Sequence, residues 1–226
     1  ALLFTGLGVA LHEIGAHVLG GLSAQYNARE AAAMQLYREV TSQPPSTQNS
    51  LQDPSQSGWE NDQQTDYGCT ASSAGLHAYI NLSSHFAYCL DQVAVYNDFA
   101  IQVQMHILSG DAGGLVFRVP FGGDRLYVFQ VTAAGKYALL FDKETNAATF
   151  SSLASGTTGA MHSFAGEENT LMLIARGNTF DIFINQQFVA EGQDAAIASG
   201  RIGVLAAEDS SPTQVVYSDA VIWQLS

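Results

Sequence analysis

FAIQVQMHILSGDAGGLVFRV, residues 99–119, is the stretch that decides the fold. Phe99, Ile101, Val103, Met105 and Ile107 alternate with Gln102, Gln104 and His106. A period of two marks a strand with one buried face. Ser109-Gly110-Asp111 then reads as a turn, and GGLVFRV as the returning strand. The same texture extends downstream through RLYVFQV (125–131), YALLFD (137–142), TLMLIAR (170–176), TFDIFIN (179–185), RIGVLAA (201–207) and TQVVYSDAVIWQL (213–225). Upstream it includes LHAYINL (76–82) and HFAYCL (85–90). Gly122-Gly123-Asp124, Ala134-Gly135 and Gly177-Asn178 punctuate the run. Regular short strands with no helical stretch between them predict an antiparallel β-sandwich or jelly roll over 59–226, long enough for one sizeable core.

Cys69 and Cys89 are the two cysteines, and both sit in strand-like segments. The expected use is a disulfide stapling neighbouring strands; the bland alternative is two buried free thiols. A metal site would lack enough soft ligands. A bridge of this kind persists outside the cytosol, which fits an extracellular or cell-surface protein. The net charge of −13, with eight basic residues, argues against a nucleic-acid partner and leaves no polybasic patch for anionic lipid.

The N-terminal quarter reads differently. Residues 1–23, ALLFTGLGVALHEIGAHVLGGLS, are apolar, with no Lys or Arg and one acid, Glu13. Such a run is long enough to span a bilayer as a helix. At 100° per residue Leu3, Leu7, Leu11, Ile14 and Val18 share one side. Thr5, Gly8, His12, Glu13, Gly15 and His17 fall on the other half, and Glu13 and His17 are at i,i+4. Two readings compete: a single-span anchor, and a helix packed on copies of itself through its small and polar side. A cleaved signal peptide is a third. HEIGAH is no zinc-protease motif, because His12 and His17 lie five residues apart, about 140° around a helix. The pattern turns amphipathic through AQYNAREAAAMQLYREVTSQ and must stop at Pro44-Pro45. The expectation is therefore a helix over 1–41, a Ser/Gln/Pro-rich linker over 42–58 and a sandwich over 59–226.

The order FAIQVQMHILSGDAGGLVFRV, RLYVFQVTAAGKYALLF, LMLIARGNTFDIFINQQFVAEG, GRIGVLAA and VVYSDAVIW resembles the laminin-G/concanavalin-A-like jelly roll. It is similar in particular to a bacterial branch with 3-keto-glycoside hydrolase-like domains. It also resembles ectodomains that follow a membrane helix in some Chloroflexota serine/threonine kinases. The resemblance implies a fold, and no catalytic residue transfers from it. Glucanases on this fold carry an ExDxE strand that points acid and nucleophile into one cleft. The strand of comparable texture here reads IQVQMHI, so the sandwich is read as non-enzymatic, with no cofactor and no metal. Turn aspartates Asp111, Asp124 and Asp209 have calcium-ligand chemistry, but solvated turn acids are commoner. For glycan binding the candidates are Arg118, Tyr127, Phe129, Gln130 and Tyr137, rings to stack and polar groups to read hydroxyls. The competing use for Arg118 is a buried charge satisfied by a carboxylate.

Two function classes follow. In the first, the chain is a pilin-like extracellular subunit whose helix bundles with copies of itself into a filament and displays the sandwich. It departs from type IV pilins in carrying Thr5 where they have a glutamate. The alternative is a membrane-tethered ectodomain that binds glycans or senses extracellular ligands.

Overall fold

The computed structural model describes residues 6–53, 58–122, 125–143, 150–162 and 167–225, with side chains from residue 24 onward. The chain divides into two units, Ala1–Ser42 and Gln43–Ser226.

The first unit is one helix, α1 (Gly6–Thr41). Good helix formers carry its second half, and Gln35 bonds Glu39 one turn on at 2.8 Å. Thr41 Oγ1 donates to the Tyr37 carbonyl and Ser42 Oγ to the Glu39 carbonyl, which satisfies acceptors that a helix end leaves open. The stretch 1–23 that suggested a membrane span, with Thr5, Gly8, His12, Glu13, Gly15 and His17, lies outside the residues whose side chains are described. Among the described residues no helix is long and apolar enough to cross a membrane.

The described residues of the second unit form fourteen strands: β1 (Thr47–Asn49), β2 (Tyr67–Ser72), β3 (Gly75–Ile80), β4 (His85–Leu90), β5 (Phe99–Ser109), β6 (Ala112–Val119), β7 (Leu126–Thr132), β8 (Lys136–Asp142), β9 (Phe150–Thr157), β10 (Asn169–Arg176), β11 (Thr179–Ile184), β12 (Gln187–Gln193), β13 (Arg201–Glu208) and β14 (Thr213–Gln224). They form two antiparallel sheets. One runs β12-β11-β10-β5-β14-β3-β2, and the other β4-β13-β6-β7-β8-β9. The domain is mainly β, an antiparallel sandwich, as the alternation predicts.

Four strands were not among the clearest sequence candidates, although β2 includes the strand-like segment around Cys69, and each has a reason. β9 reads FSSLASGT, poor in strand formers, and is held by the ladder it borrows from β8. β12 and β2 are edge strands with little alternation. β1 lies inside the Ser/Gln/Pro-rich 42–58 that composition reads as a linker. It pairs with the second half of β14, Thr47 opposite Ile222, while the first half of β14 pairs with β3. The switch is made at a bulge after Ser218, where Asp219 takes φ +52°. Leu51 just beyond is 1 % exposed, so this segment is part of the sandwich.

The core lies between the sheets. From one side it takes Phe99, Ile101, Val103 and Met105, and from the other Leu115, Phe117, Tyr127 and Phe129. Cys69 and Cys89 are bonded, with Cα atoms 5.7 Å apart. β2 edges one sheet and β4 the other, so the bridge ties the two sheets together at one side of the sandwich. Gly114 is required by close approach: a Cβ there would sit 1.9 Å from the Phe129 carbonyl oxygen. Gly110 takes φ +87° at the β5–β6 turn, hard against Thr213.

Candidate functional site

The six-stranded sheet carries a second apolar set on the face turned away from the core. Leu90, Val116, Val119, Leu126, Val128 and Leu205 form it, and Phe86, Tyr88, Leu140 and Ala207 pack against it. Alternation explains the placement. With Ala87 and Cys89 facing the core, Phe86, Tyr88 and Leu90 must face outward.

This outer face is strongly curved. Phe86 is on edge strand β4 and Phe150 on the opposite edge strand β9, yet their ring centroids are 6.0 Å apart. Five spacings of a flat sheet would separate those edges by about 24 Å. The edges therefore bend towards each other over a concave surface.

A cavity of about 700 Å³ occupies this surface. Phe86, Phe150, Val128 and Leu140 contribute to its apolar lining; Gln130, Thr132 and Lys136 are polar residues of its floor, and His85, Asp111, Glu208 and Asp209 lie at its border. Phe150 is 39 % exposed and presents ring surface to solvent. The size and the mixture of aromatic faces with a few polar groups are those of a small-ligand site. Four turns border the cavity, around His85, Asp111, Ala133 and Asp209. The ladder registers bring them to one end of the sheet: Glu208 pairs His85, Ala207 pairs Ala112 and Ala112 pairs Thr132.

Asp111 builds this border. Its carboxylate accepts the backbone N–H groups of Asp209, Ser210 and Ser211 at 2.8–2.9 Å and the Ser210 hydroxyl at 2.9 Å. These donors hold its pKa down at about 2, with the Ser210 and Asp209 amides the largest causes. Ser83 Oγ donates to the Asp209 carbonyl, and the Asp111 amide to Thr213 Oγ1. Three of the four turns, those at His85, Asp111 and Asp209, are thus cross-linked before any ligand arrives. Among the described residues no group of three or more His, Cys, Asp or Glu could hold a metal ion. Asp124 lies outside the described residues.

The glycan candidates read from sequence separate. Gln130 is in the cavity. Tyr127 and Phe129 are 0 % exposed and face the core, because odd positions of β7 point inward. Tyr137 is half-buried on the core side, against Gly156. Arg118 is 1 % exposed and also leaves the outer surface. By alternation it should share the outer face with Val116, but φ +51° at a bulge turns it to the inner side. There it donates to the carbonyls of Ile197 (2.9 Å), Asn97 (3.1 Å) and Gly177 (2.8 Å). It lies 5.0 Å from the centre of the Phe180 ring and 3.7 Å from Asp98. Burial lowers its pKa, partly opposed by Tyr127 and Asp98. Phe117, Tyr127 and Phe180 stack around it, and Tyr127 donates to Asp194 Oδ1 at 2.5 Å. Arg118, Tyr127 and Phe129 are therefore buried away from the outer surface that holds the cavity.

Sequence reasoning missed Phe86, Phe150, Thr132 and Lys136. Phe86 was legible: placing Cys89 inward sends the aromatic residues of HFAYCL outward. Phe150 gave no signal, since it opens a Ser-rich strand.

No protein-family model matches the chain, and no curated protein matches it. Its structure is similar to the carbohydrate-binding module CBM66 from Bacillus subtilis, with TM-score 0.60 and 17% identity over 74% of this chain and 96% of that one. It is similar to a protein of unknown function with a galectin-like fold, also from Bacillus subtilis, with TM-score 0.62 and 14% identity over 80% of this chain and 96% of that one. A Bacillus licheniformis β-glucanase follows the same course at TM-score 0.53 and 10% identity, covering 81% of this chain and 99% of that one. At such identities the likeness is one of fold. It gives no support to the pilin-like or kinase-ectodomain resemblance. The domain has the concanavalin-A-like, galectin-like β-sandwich fold shared by carbohydrate-binding and glycoside-hydrolysing proteins.

Proposed function

We propose that the sandwich is an extracellular carbohydrate-binding domain whose ligand occupies the cavity on the concave outer face of the six-stranded sheet. The observation that carries this reading is the meeting of Phe86 and Phe150 above Gln130, Thr132 and Lys136. Sugar rings present apolar C–H faces that stack on aromatic rings, and hydroxyls that need donors and acceptors. This cavity offers both, with a border already fixed by Asp111, so little ordering is required on binding. The glycan-binding alternative drawn from the sequence is thereby favoured over the filament.

Binding is favoured over hydrolysis. The Asp111 carboxylate is committed to four hydrogen bonds, and no ExDxE strand occurs. The Cys69–Cys89 bridge supports the extracellular placement.

The test is retention of the full chain on a panel of soluble polysaccharides: glucans, fructans, galactans and xylans in native affinity gels. At least one should retard the protein, and Gln130→Ala should reduce that retardation with the circular dichroism spectrum unchanged. Equal mobility on every polysaccharide would end the carbohydrate reading. Release of reducing sugar from the retained polysaccharide would end the non-enzymatic part.

A further inference from the structure

We propose that the cavity takes the end of a glycan chain, entering from the border at Asp111 and Asp209, and does not hold a chain laid across the sheet. This rests on the carbohydrate reading above and adds the mode of recognition.

Three observations carry it. First, the face is a groove with a closed inner half. Towards the strand end away from the Asp111 border, Leu90, Val116 and Leu126 are 0–2 % exposed, so apolar side chains fill that half. Second, the roof comes from both sides. β4 and β9 are the two edges of the sheet, and a chain crossing the strands would have to leave over one of them. With the ring centroids 6.0 Å apart, that exit is blocked by two side chains that meet at a tilt. Third, the open mouth is at one strand end, where the turns at His85, Asp111, Ala133 and Asp209 meet.

The dimensions agree. Along β7 the cavity is lined from Thr132 at the mouth to Val128 inside, four residues or about 13 Å of strand. A cavity of about 700 Å³ with that depth admits a short terminal stretch of sugars. By ladder register Phe86 stands level with Thr132 and Lys136 at the mouth, Gln130 lies further in, and Phe150, opposite Asp142, stands deeper still. The terminal sugar would stack on Phe150 while the preceding one meets Gln130.

Stoichiometry tests this directly. Linear chains of the polysaccharide that retards the full-length protein are size-fractionated into short, medium and long pools. Each is titrated by calorimetry. End recognition saturates at one protein per recognised chain terminus in every pool, so sites per unit mass fall as chains lengthen. Sites per unit mass that are constant across pools would mean binding along the chain and would overturn the proposal. Phe150→Ala, at an exposed ring whose loss leaves the core intact, should weaken terminus binding by at least about tenfold. It should not change the thermal midpoint. Unchanged affinity in both Phe150→Ala and Phe86→Ala would equally overturn the roofed pocket. Absence of binding to every polysaccharide is a different result, and it removes the carbohydrate reading itself.

Discussion

Tyr217, on β14 of one sheet, donates its hydroxyl hydrogen to the carbonyl of Leu205, on β13 of the other, at 2.5 Å. The same oxygen accepts the Gly114 amide at 2.7 Å. A fully buried phenol therefore bolts the two sheets together through the core, and burial raises its pKa far above the ordinary value. Tyr217→Phe keeps the ring and strands both partners. Chemical denaturation should show a loss of about 1–3 kcal/mol with native far-ultraviolet dichroism. A loss within error of zero would mean the bolt contributes nothing net.

The Cys69–Cys89 bridge closes a loop of sequence separation 20 between sheet edges. Replacing both cysteines with Ala should cost about 3 kcal/mol. Reductant should lower the wild-type midpoint towards that of the double variant and leave the variant unmoved. Melts with and without reductant check this.

Asp181, on β11, is directly opposite Glu191 on β12. Burial first, then the Glu191 charge, push its pKa up to about 6, against a smaller pull from Arg176. An acid whose folded pKa lies above its unfolded value binds more protons when folded. Stability therefore falls as pH rises from about 4 through 6, and the cost is complete above that. Asp181→Asn should stabilise the protein by about 1–2 kcal/mol at neutral pH and by almost nothing near pH 3.5. Thermal midpoints across that range decide it, and a gain that persists at low pH would refute the ionisation account.

Arg118 is read as a clamp for loop carbonyls, not a ligand contact. Arg118→Lys cannot reach three carbonyls with a point charge and should destabilise by about 2–4 kcal/mol. Glycan affinity per folded molecule should be unchanged. A lowered affinity in material still fully folded would return Arg118 to the binding surface.

For the helix, self-association through Thr5, Gly8, His12, Glu13, Gly15 and His17 remains our proposal from sequence. Glu13→Ala and Glu13→Lys should shift the protein towards smaller species in light scattering and electron micrographs. Identical assemblies in both variants would leave the helix without that role.

Much of the fold was legible in residues 76–225, because a strand with one buried face writes its orientation into alternate positions. Phe99 to Ile107 could be assigned inward from the sequence. So could the turn at Gly110 and the bridge between the two cysteines. The site was much less legible. Alternation says which residues share a face, and it correctly groups Val128 with Gln130 or Phe86 with Tyr88. It cannot say which face stays open, and it fails at a bulge. Arg118 is the example: one left-handed residue reverses its direction and converts an apparent binding cation into a core clamp. Phe150 and Phe86 are 64 positions apart in a chain with no local reason to join them. Only the curvature of a twisted sheet, a property of the six strands together, brings those two rings into contact and makes a pocket of an apolar face.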